Sequence, residues 1–318
     1  MNKTERYHLG FNWSTSRETA FTRAVAEAAK QRGLRWLCVL KSATPEIRQR
    51  VSDGRLQVGL FLNTQADGTS MENSHMLLCR SLKASGCMVV EDPDDAPFYA
   101  NRALQLDYLE KAGLSVPRRL VIRQWKPGRP LLTASEQTKI GGSWFAQPAV
   151  GLGRRISLAG TGMLTSSMLS RSGFVPRQGV LIYSNHKPKD DKGMSFRIWY
   201  LFGHVVCCCA NNQGSFELLR VDPTASEFVP GLTAWAHRMA QITGLDWFAS
   251  EVVSANRTGC AGLKIWEPAN ALSLLGPGIK PLAELPVEVA RILAERLVEV
   301  AWRRARGLTL TDGVTMRL

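Results

Sequence analysis

Between residues 35 and 90, short apolar runs at 35–40, 58–62 and 87–90 alternate with stretches of helical periodicity at 45–51 and 71–84. Few folds accommodate that alternation. Parallel strands must be joined by crossovers of a dozen or more residues, usually helices, and strands that read as unbroken apolar runs are buried on both faces. An amphipathic helix over 16–32, capped by Thr15 or Ser16 and stopped by Gly33, precedes the first run. Residues 1–92 are therefore expected to form an α/β domain whose parallel sheet is covered on both sides. The acidic, proline-bearing stretch 91–97 marks the end of that domain.

Residues 246–251 and 263–267 are two further short runs, rich in aromatic and aliphatic side chains, about one turn apart. Each carries a carboxylate, Glu251 and Glu267, and Asn270 follows three residues after the second. The pair reads as an antiparallel hairpin that points all three groups into one space. Oxygen-only ligands in that number suit Mg²⁺, which is held by one or two carboxylates together with nucleotide phosphates. Taken singly, each is also an ordinary polar residue at a strand end.

The composition, 45% hydrophobic and 21% charged over 318 residues, is that of a globular protein large enough for more than one core. No stretch of eighteen apolar residues occurs, and residues 1–10 lack the apolar centre of a signal peptide, so a cytoplasmic protein without a membrane partner is expected. Seven cysteines without paired spacing point to reduced thiols. Cys207, Cys208 and Cys209 fall in a strand, where successive side chains face opposite ways, and are read as packed thiols rather than metal ligands. The net charge of +13 attracts polyanions, with local basic groups at Lys187, Lys189 and Lys192 and at Arg303, Arg304 and Arg306. No nucleic-acid module accompanies the charge, and no specific nucleic-acid partner is expected.

The chain from 98 to about 305 resembles the ATP-grasp ligases in the order of its elements. The helix over 99–113, with apolar Leu104, Tyr108 and Leu109, ends in Gly113, Leu114, Ser115, Val116 and Pro117, similar to the opening of that family's lid subdomain. Gln147, Pro148, Ala149, Val150 and Gly151 stand where the family has a phosphate-binding Lys-Pro-Ala-hydrophobic-Gly turn. The strand over 179–188 resembles the hinge that reads adenine, although Tyr183 and Ser184 replace its usual Gln-Glu. Arg197 stands in the register of an arginine that meets the terminal phosphate, and Glu251, Glu267 and Asn270 in that of the magnesium ligands.

The resemblance implies an α/β plus α+β protein: a pre-ATP-grasp domain over 1–92, an ATP-grasp domain over 98–306 with its lid over about 115–180 and its C-terminal core over about 180–306, and a tail at 307–318. It implies ATP and Mg²⁺ as cofactors, with Gln147, Gly151, Gly153, Arg154, Tyr183 and Ser184 at the nucleotide and Arg197 as the catalytic cation. The implied activity is a ligase that converts a carboxylate to an acyl phosphate for attack by an amine or thiol, with a peptide or an amino acid among the candidate substrates. A homo-oligomer is compatible with this reading. Glutamine lacks the ammonium charge of lysine, so Gln147 keeps open the alternative of a catalytically weak homologue retained as a binding or scaffold subunit.

Overall fold

The computed structural model describes residues 4–13, 19–64, 74–95, 101–123, 132–140, 143–150, 156–159, 179–184, 194–210, 216–219, 228–254, 264–265 and 285–309. The chain starts with β1 (Glu5–Trp13), α1 (Ala20–Gln31), β2 (Trp36–Leu40), α2 (Thr44–Ser52), β3 (Leu56–Leu62), α3 (Ser74–Ala84) and β4 (Met88–Val90). The four strands pair in parallel in the order β2-β1-β3-β4. As the alternation predicts, both faces are covered. Leu9, Phe11 and Leu60 face the core that holds α1, whereas Val58, Phe61 and Val39 pack against α2 and α3.

The central strand β1 is an addition to the sequence reading, which notes of residues 1–10 only that they lack the apolar centre of a signal peptide. Its signal is the two-residue period of Tyr7, Leu9, Phe11 and Trp13, whose last three members are fully or almost fully buried. The start of α1 also differs: the cap is Thr19, not Thr15 or Ser16. Thr19 Oγ1 accepts from the Thr22 amide at 3.2 Å and the Thr19 amide donates to Thr22 Oγ1 at 2.9 Å, a reciprocal box that satisfies two otherwise orphaned donors. Gly33, at φ +66°, ends the helix as predicted.

Next come α4 (Arg102–Lys111), β5 (Arg119–Ile122), α5 (Ala134–Ile140), β6 (Ser143–Pro148), β7 (Ile156–Ala159) and β8 (Val180–Ser184). These strands make an antiparallel sheet in the order β5-β8-β6-β7. In α4 the expected apolar face is shifted: Leu109 is buried as expected, but Leu104 and Tyr108 are each 48% exposed and Leu106 is buried in their place. Arg102 and Gln105 share the buried face, and these polar residues break the apolar period from which the face was read.

The remaining elements are β9 (Met194–Leu201), β10 (His204–Ala210), β11 (Phe216–Leu218), α6 (Phe228–Thr243), β12 (Trp247–Ser254), β13 (Lys264–Ile265) and α7 (Val287–Ala305). Their strands form an antiparallel sheet in the order β11-β10-β9-β12-β13. The hairpin read from residues 246–267 is present, with Val252 opposite Ile265 and Val253 opposite Lys264. A two-residue turn joins β9 to β10, with Phe202 at φ 47° and Gly203 at φ 78°, the left-handed pair that suits the twist of a hairpin. Arg296 donates through Nε and Nη2 to the Phe202 carbonyl and so ties that turn to α7.

Helix α7 carries one apolar stripe. Val289, Leu293, Leu297, Val300 and Ala301 are buried, with Ile292 packed against them. One hydrophobic cluster joins this stripe to β1, β3 and α1 and to Trp199, Leu201, Trp247 and Ala249 of the five-stranded sheet. A single core therefore underlies the parallel sheet and the sheet that carries Arg197 and Glu251. Along β10, Cys208 enters this cluster and Cys207 the cluster on the opposite side, the alternation expected of neighbouring strand residues.

A carboxylate strengthens the junction. Glu91, directly after β4 and 6% exposed, accepts at Oε1 from the amides of Asp246 at 2.9 Å and Trp247 at 2.6 Å, where β12 begins. Hydrogen bonds to an ionised acceptor are among the stronger ones. Glu91→Ala is therefore expected to lower unfolding stability by about 2–4 kcal/mol, and Glu91→Gln, which keeps an acceptor oxygen, by less than half of that. Urea denaturation of the three proteins measures both; equal midpoints would remove this junction from the account.

Candidate functional site

Two groups of polar side chains are built by the fold. The first lies on adjacent strands of the five-stranded sheet. Arg197 of β9 and Glu251 of β12 are direct partners in the ladder, and their side chains form an ion pair across it. Both are mostly enclosed, at 16% and 12% side-chain exposure. Alternation puts them on the same face as Trp199 and Trp247. The apolar floor beneath them raises the cost of separating the charges. On β10, Cys208 lies opposite Arg197 in register. Burial pushes its thiol up to about 12 despite the opposing pull of the guanidinium, so it is neutral and unreactive near pH 7.

The second group lies where β6 meets α4. Gln147 sits on β6 opposite Leu181 of β8 and is 3% exposed. Its Nε2 is fully enclosed and has no hydrogen-bond partner, a rare and costly state for an amide donor. Beyond Pro148 the chain is pinned from two sides. The Arg102 amide donates to the Ala149 carbonyl at 3.0 Å, and the Ala149 amide donates to the Gly179 carbonyl at 3.1 Å. Asn101 also bridges to Val150 and caps α4, its Oδ1 accepting from the Leu104 amide at 3.0 Å. The start of α4 thus abuts the end of β6, and Arg102, 7% exposed overall, is bonded there through its main chain. Arg102 and Gln105 are absent from the sequence reading. The signal that would have found them is a polar pair at i, i+3 on the face of a helix that must be buried.

Other predicted site residues fall differently. Tyr183 and Ser184 close β8, the second strand of its sheet. Tyr183 is flanked by Arg119 of β5 and Phe145 of β6, and Ser184 is paired with Trp144 alone. Main-chain groups of β8 are therefore committed to the sheet up to Tyr183, and Ser184 lies at the strand's open end. Gly151, Gly153, Arg154, Glu267 and Asn270 lie outside the described residues. Among the described residues no group of three His, Cys, Asp or Glu side chains has the arrangement of a metal site, and Glu251 is the one predicted magnesium ligand whose surroundings are described. Nor is any described helix long and apolar enough to cross a membrane.

A parallel four-stranded α/β unit, an antiparallel sheet reached through α4 and a five-stranded antiparallel sheet closed by α7 together make the ATP-grasp fold. Three solved structures illustrate the likeness. The RimK-domain ATP-grasp protein of Sphaerobacter thermophilus superposes with a TM-score of 0.62 at 18% identity, covering 90% of this chain and 98% of that one. The ATP-grasp ligase PsnB, in complex with a minimal precursor, gives 0.62 at 14% identity over 94% and 99% of the two chains. D-alanine–D-alanine ligase of Bacillus anthracis gives 0.61 at 10% identity over 94% and 99%. No family model matches the sequence, and no curated protein matches it.

Proposed function

We propose that the chain is an ATP- and Mg²⁺-dependent ligase that activates a carboxylate as an acyl phosphate for attack by an amine or thiol. The observation that carries this reading is the enclosed Arg197–Glu251 pair on neighbouring strands of an ATP-grasp fold. A guanidinium and a carboxylate held side by side supply an anion-binding fork and a hard oxygen ligand in one place. Related folds give chemical support: PsnB has been solved with a precursor variant, Mg and ADP, and the Bacillus anthracis ligase with ATP.

In this reading Glu251, with Glu267 and Asn270, holds the metal, and Arg197 contacts the phosphoryl group in flight. Bound Mg²⁺-ATP supplies the phosphoryl group, its charge neutralised as it moves. Gln147 donates its otherwise unpartnered Nε2 to a phosphate oxygen. Arg102, a buried arginine whose main chain is bonded to the end of β6, is the candidate for the positive charge that the amide lacks. Gly151, Gly153 and Arg154 are assigned to the phosphates by the resemblance alone, and Tyr183 and Ser184, at the end of β8, to the base. The acceptor is a small amino acid or a peptide, and residues 1–92 serve as the pre-ATP-grasp domain.

One observation favours a second reading. Gln147 is a neutral amide, 3% exposed, where lysine is usual, which suits a catalytically weak homologue kept as a binding subunit. Hydroxylamine separates the two. The ligase is expected to release ADP with a panel of amino acids and peptides and to yield one hydroxamate per ADP, because hydroxylamine intercepts an acyl phosphate. ADP release without hydroxamate would remove the acyl-phosphate step, and no release with any carboxylate would favour the binding subunit.

A further inference from the structure

The start of the parallel sheet, opposite the end where Glu91 meets β12, gathers guanidinium groups that the proposed chemistry does not use. Trp302 of α7 is covered by Arg306, 4.4 Å from its ring centroid, and by Arg32 at the end of α1, 5.5 Å away. Arg35, just before β2, lies 4.7 Å over the ring of Tyr7, and its amide donates to His8 Nδ1 at 2.9 Å. Arg304 donates through Nε to the Gly59 carbonyl of β3 at 3.0 Å. These contacts set Arg32, just after α1, and Arg306, just after α7, on one shared ring, with Arg35, three residues beyond Arg32, on a second ring at the start of the sheet.

Several carboxylates of these elements are already engaged. Glu5 pairs with Arg50, Asp53 with Arg55, and Glu299 with Arg296 and Arg303. Arg32, Arg35 and Arg306, all exposed, have no carboxylate partner among the described residues. Stacking on tryptophan or tyrosine holds a guanidinium in place while its N–H edge stays available. The group is therefore pre-organised for anions in a chain of net charge +13.

Two features select the kind of anion. The aromatic rings here are covered by arginine, so no bare ring is offered for the base stacking on which single-stranded nucleic-acid binders rely. In addition, β2 is an edge strand, and among the described residues nothing pairs with its outer side. Arg35 precedes this edge and the exposed Lys41 follows it. An extended polypeptide can add to such an edge through main-chain hydrogen bonds while its acidic side chains meet the flanking cations.

We propose that the β2 edge and the Arg32, Arg35 and Arg306 guanidinium groups form a docking surface for an acidic, extended polypeptide segment. The proposal is independent of the nucleotide chemistry, and its test uses no ATP. Fluorescence anisotropy of the full chain is measured with labelled oligoglutamate, with a glutamate–proline repeat of equal charge, and with oligoadenylate RNA of the same length, each at low and high salt. Oligoglutamate is expected to bind in a salt-sensitive way, the repeat about tenfold more weakly because proline cannot complete a strand ladder, and the RNA more weakly than oligoglutamate. Combined Arg32→Glu, Arg35→Glu and Arg306→Glu is expected to weaken oligoglutamate binding at least about tenfold. If that variant does not fold, Arg306→Glu alone, at the exposed end of α7, is expected to weaken it about threefold. Absence of oligoglutamate binding, equal affinity in the charge-reversed proteins, equal affinity for the repeat, or tighter binding of RNA would each overturn the proposal.

Discussion

Arg197→Ala is expected to lower nucleotide turnover by about a thousandfold and to destabilise the fold by about 3 kcal/mol. The two effects have different origins. Loss of rate follows from removing a fixed cation where negative charge moves, an interaction commonly worth two to three orders of magnitude. Loss of stability follows from stripping Glu251 of its guanidinium when its carboxylate is only 12% exposed. Removing one partner of an enclosed pair costs more than removing both, because the charge left behind keeps its desolvation penalty. Arg197→Ala combined with Glu251→Ala should therefore recover part of the lost stability while activity stays absent. Urea midpoints and single-turnover rates for the two single variants and the double variant form a complete cycle. A double variant no more stable than Arg197→Ala would mean that the pair is not the energetic unit inferred from its geometry.

Gln147→Lys should act in opposite directions on the free and the nucleotide-bound protein. In the free protein it places an ammonium group at a position 3% exposed, a desolvation cost of a few kcal/mol that lowers the melting temperature. With Mg²⁺-ATP present, the same ammonium gains a charge-assisted contact to phosphate worth about 1.5–3 kcal/mol, roughly ten- to a hundredfold in affinity. The variant is thus expected to melt lower than wild type alone and to gain more on adding nucleotide. Differential scanning calorimetry with and without Mg²⁺-ATP measures both changes. An unchanged nucleotide-induced gain would place Gln147 away from the phosphates.

The parallel unit was legible because strands buried on both faces read as apolar runs, as at β2, β3 and β4. Strand β1 was harder to see, since its first half, with Glu5, Arg6 and His8, is polar and only the alternating Tyr7, Leu9, Phe11 and Trp13 betray it. The face of α4 was legible at Leu109 but misread at Leu104 and Tyr108 for a related reason: Arg102 and Gln105 are buried, so burial there does not follow hydrophobicity. The same inversion hid Arg102 as a candidate site residue. By contrast, the hairpin of β12 and β13 was legible because aromatic and β-branched residues cluster on both sides of one turn. Arg197 and Glu251 were each legible as a charged residue on a strand. Their pairing was not, because it joins residues 54 apart in sequence and depends on the register of β9 against β12.

The nucleotide site itself is the central claim, and calorimetric titration of ATP, with and without Mg²⁺, into the wild type and Glu251→Ala tests it most directly. The expected result is a magnesium-dependent binding heat for the wild type that the variant loses at least about tenfold, as follows from removing a metal-ligating carboxylate. Equal binding by both proteins, or no binding by the wild type at millimolar nucleotide, would contradict the account.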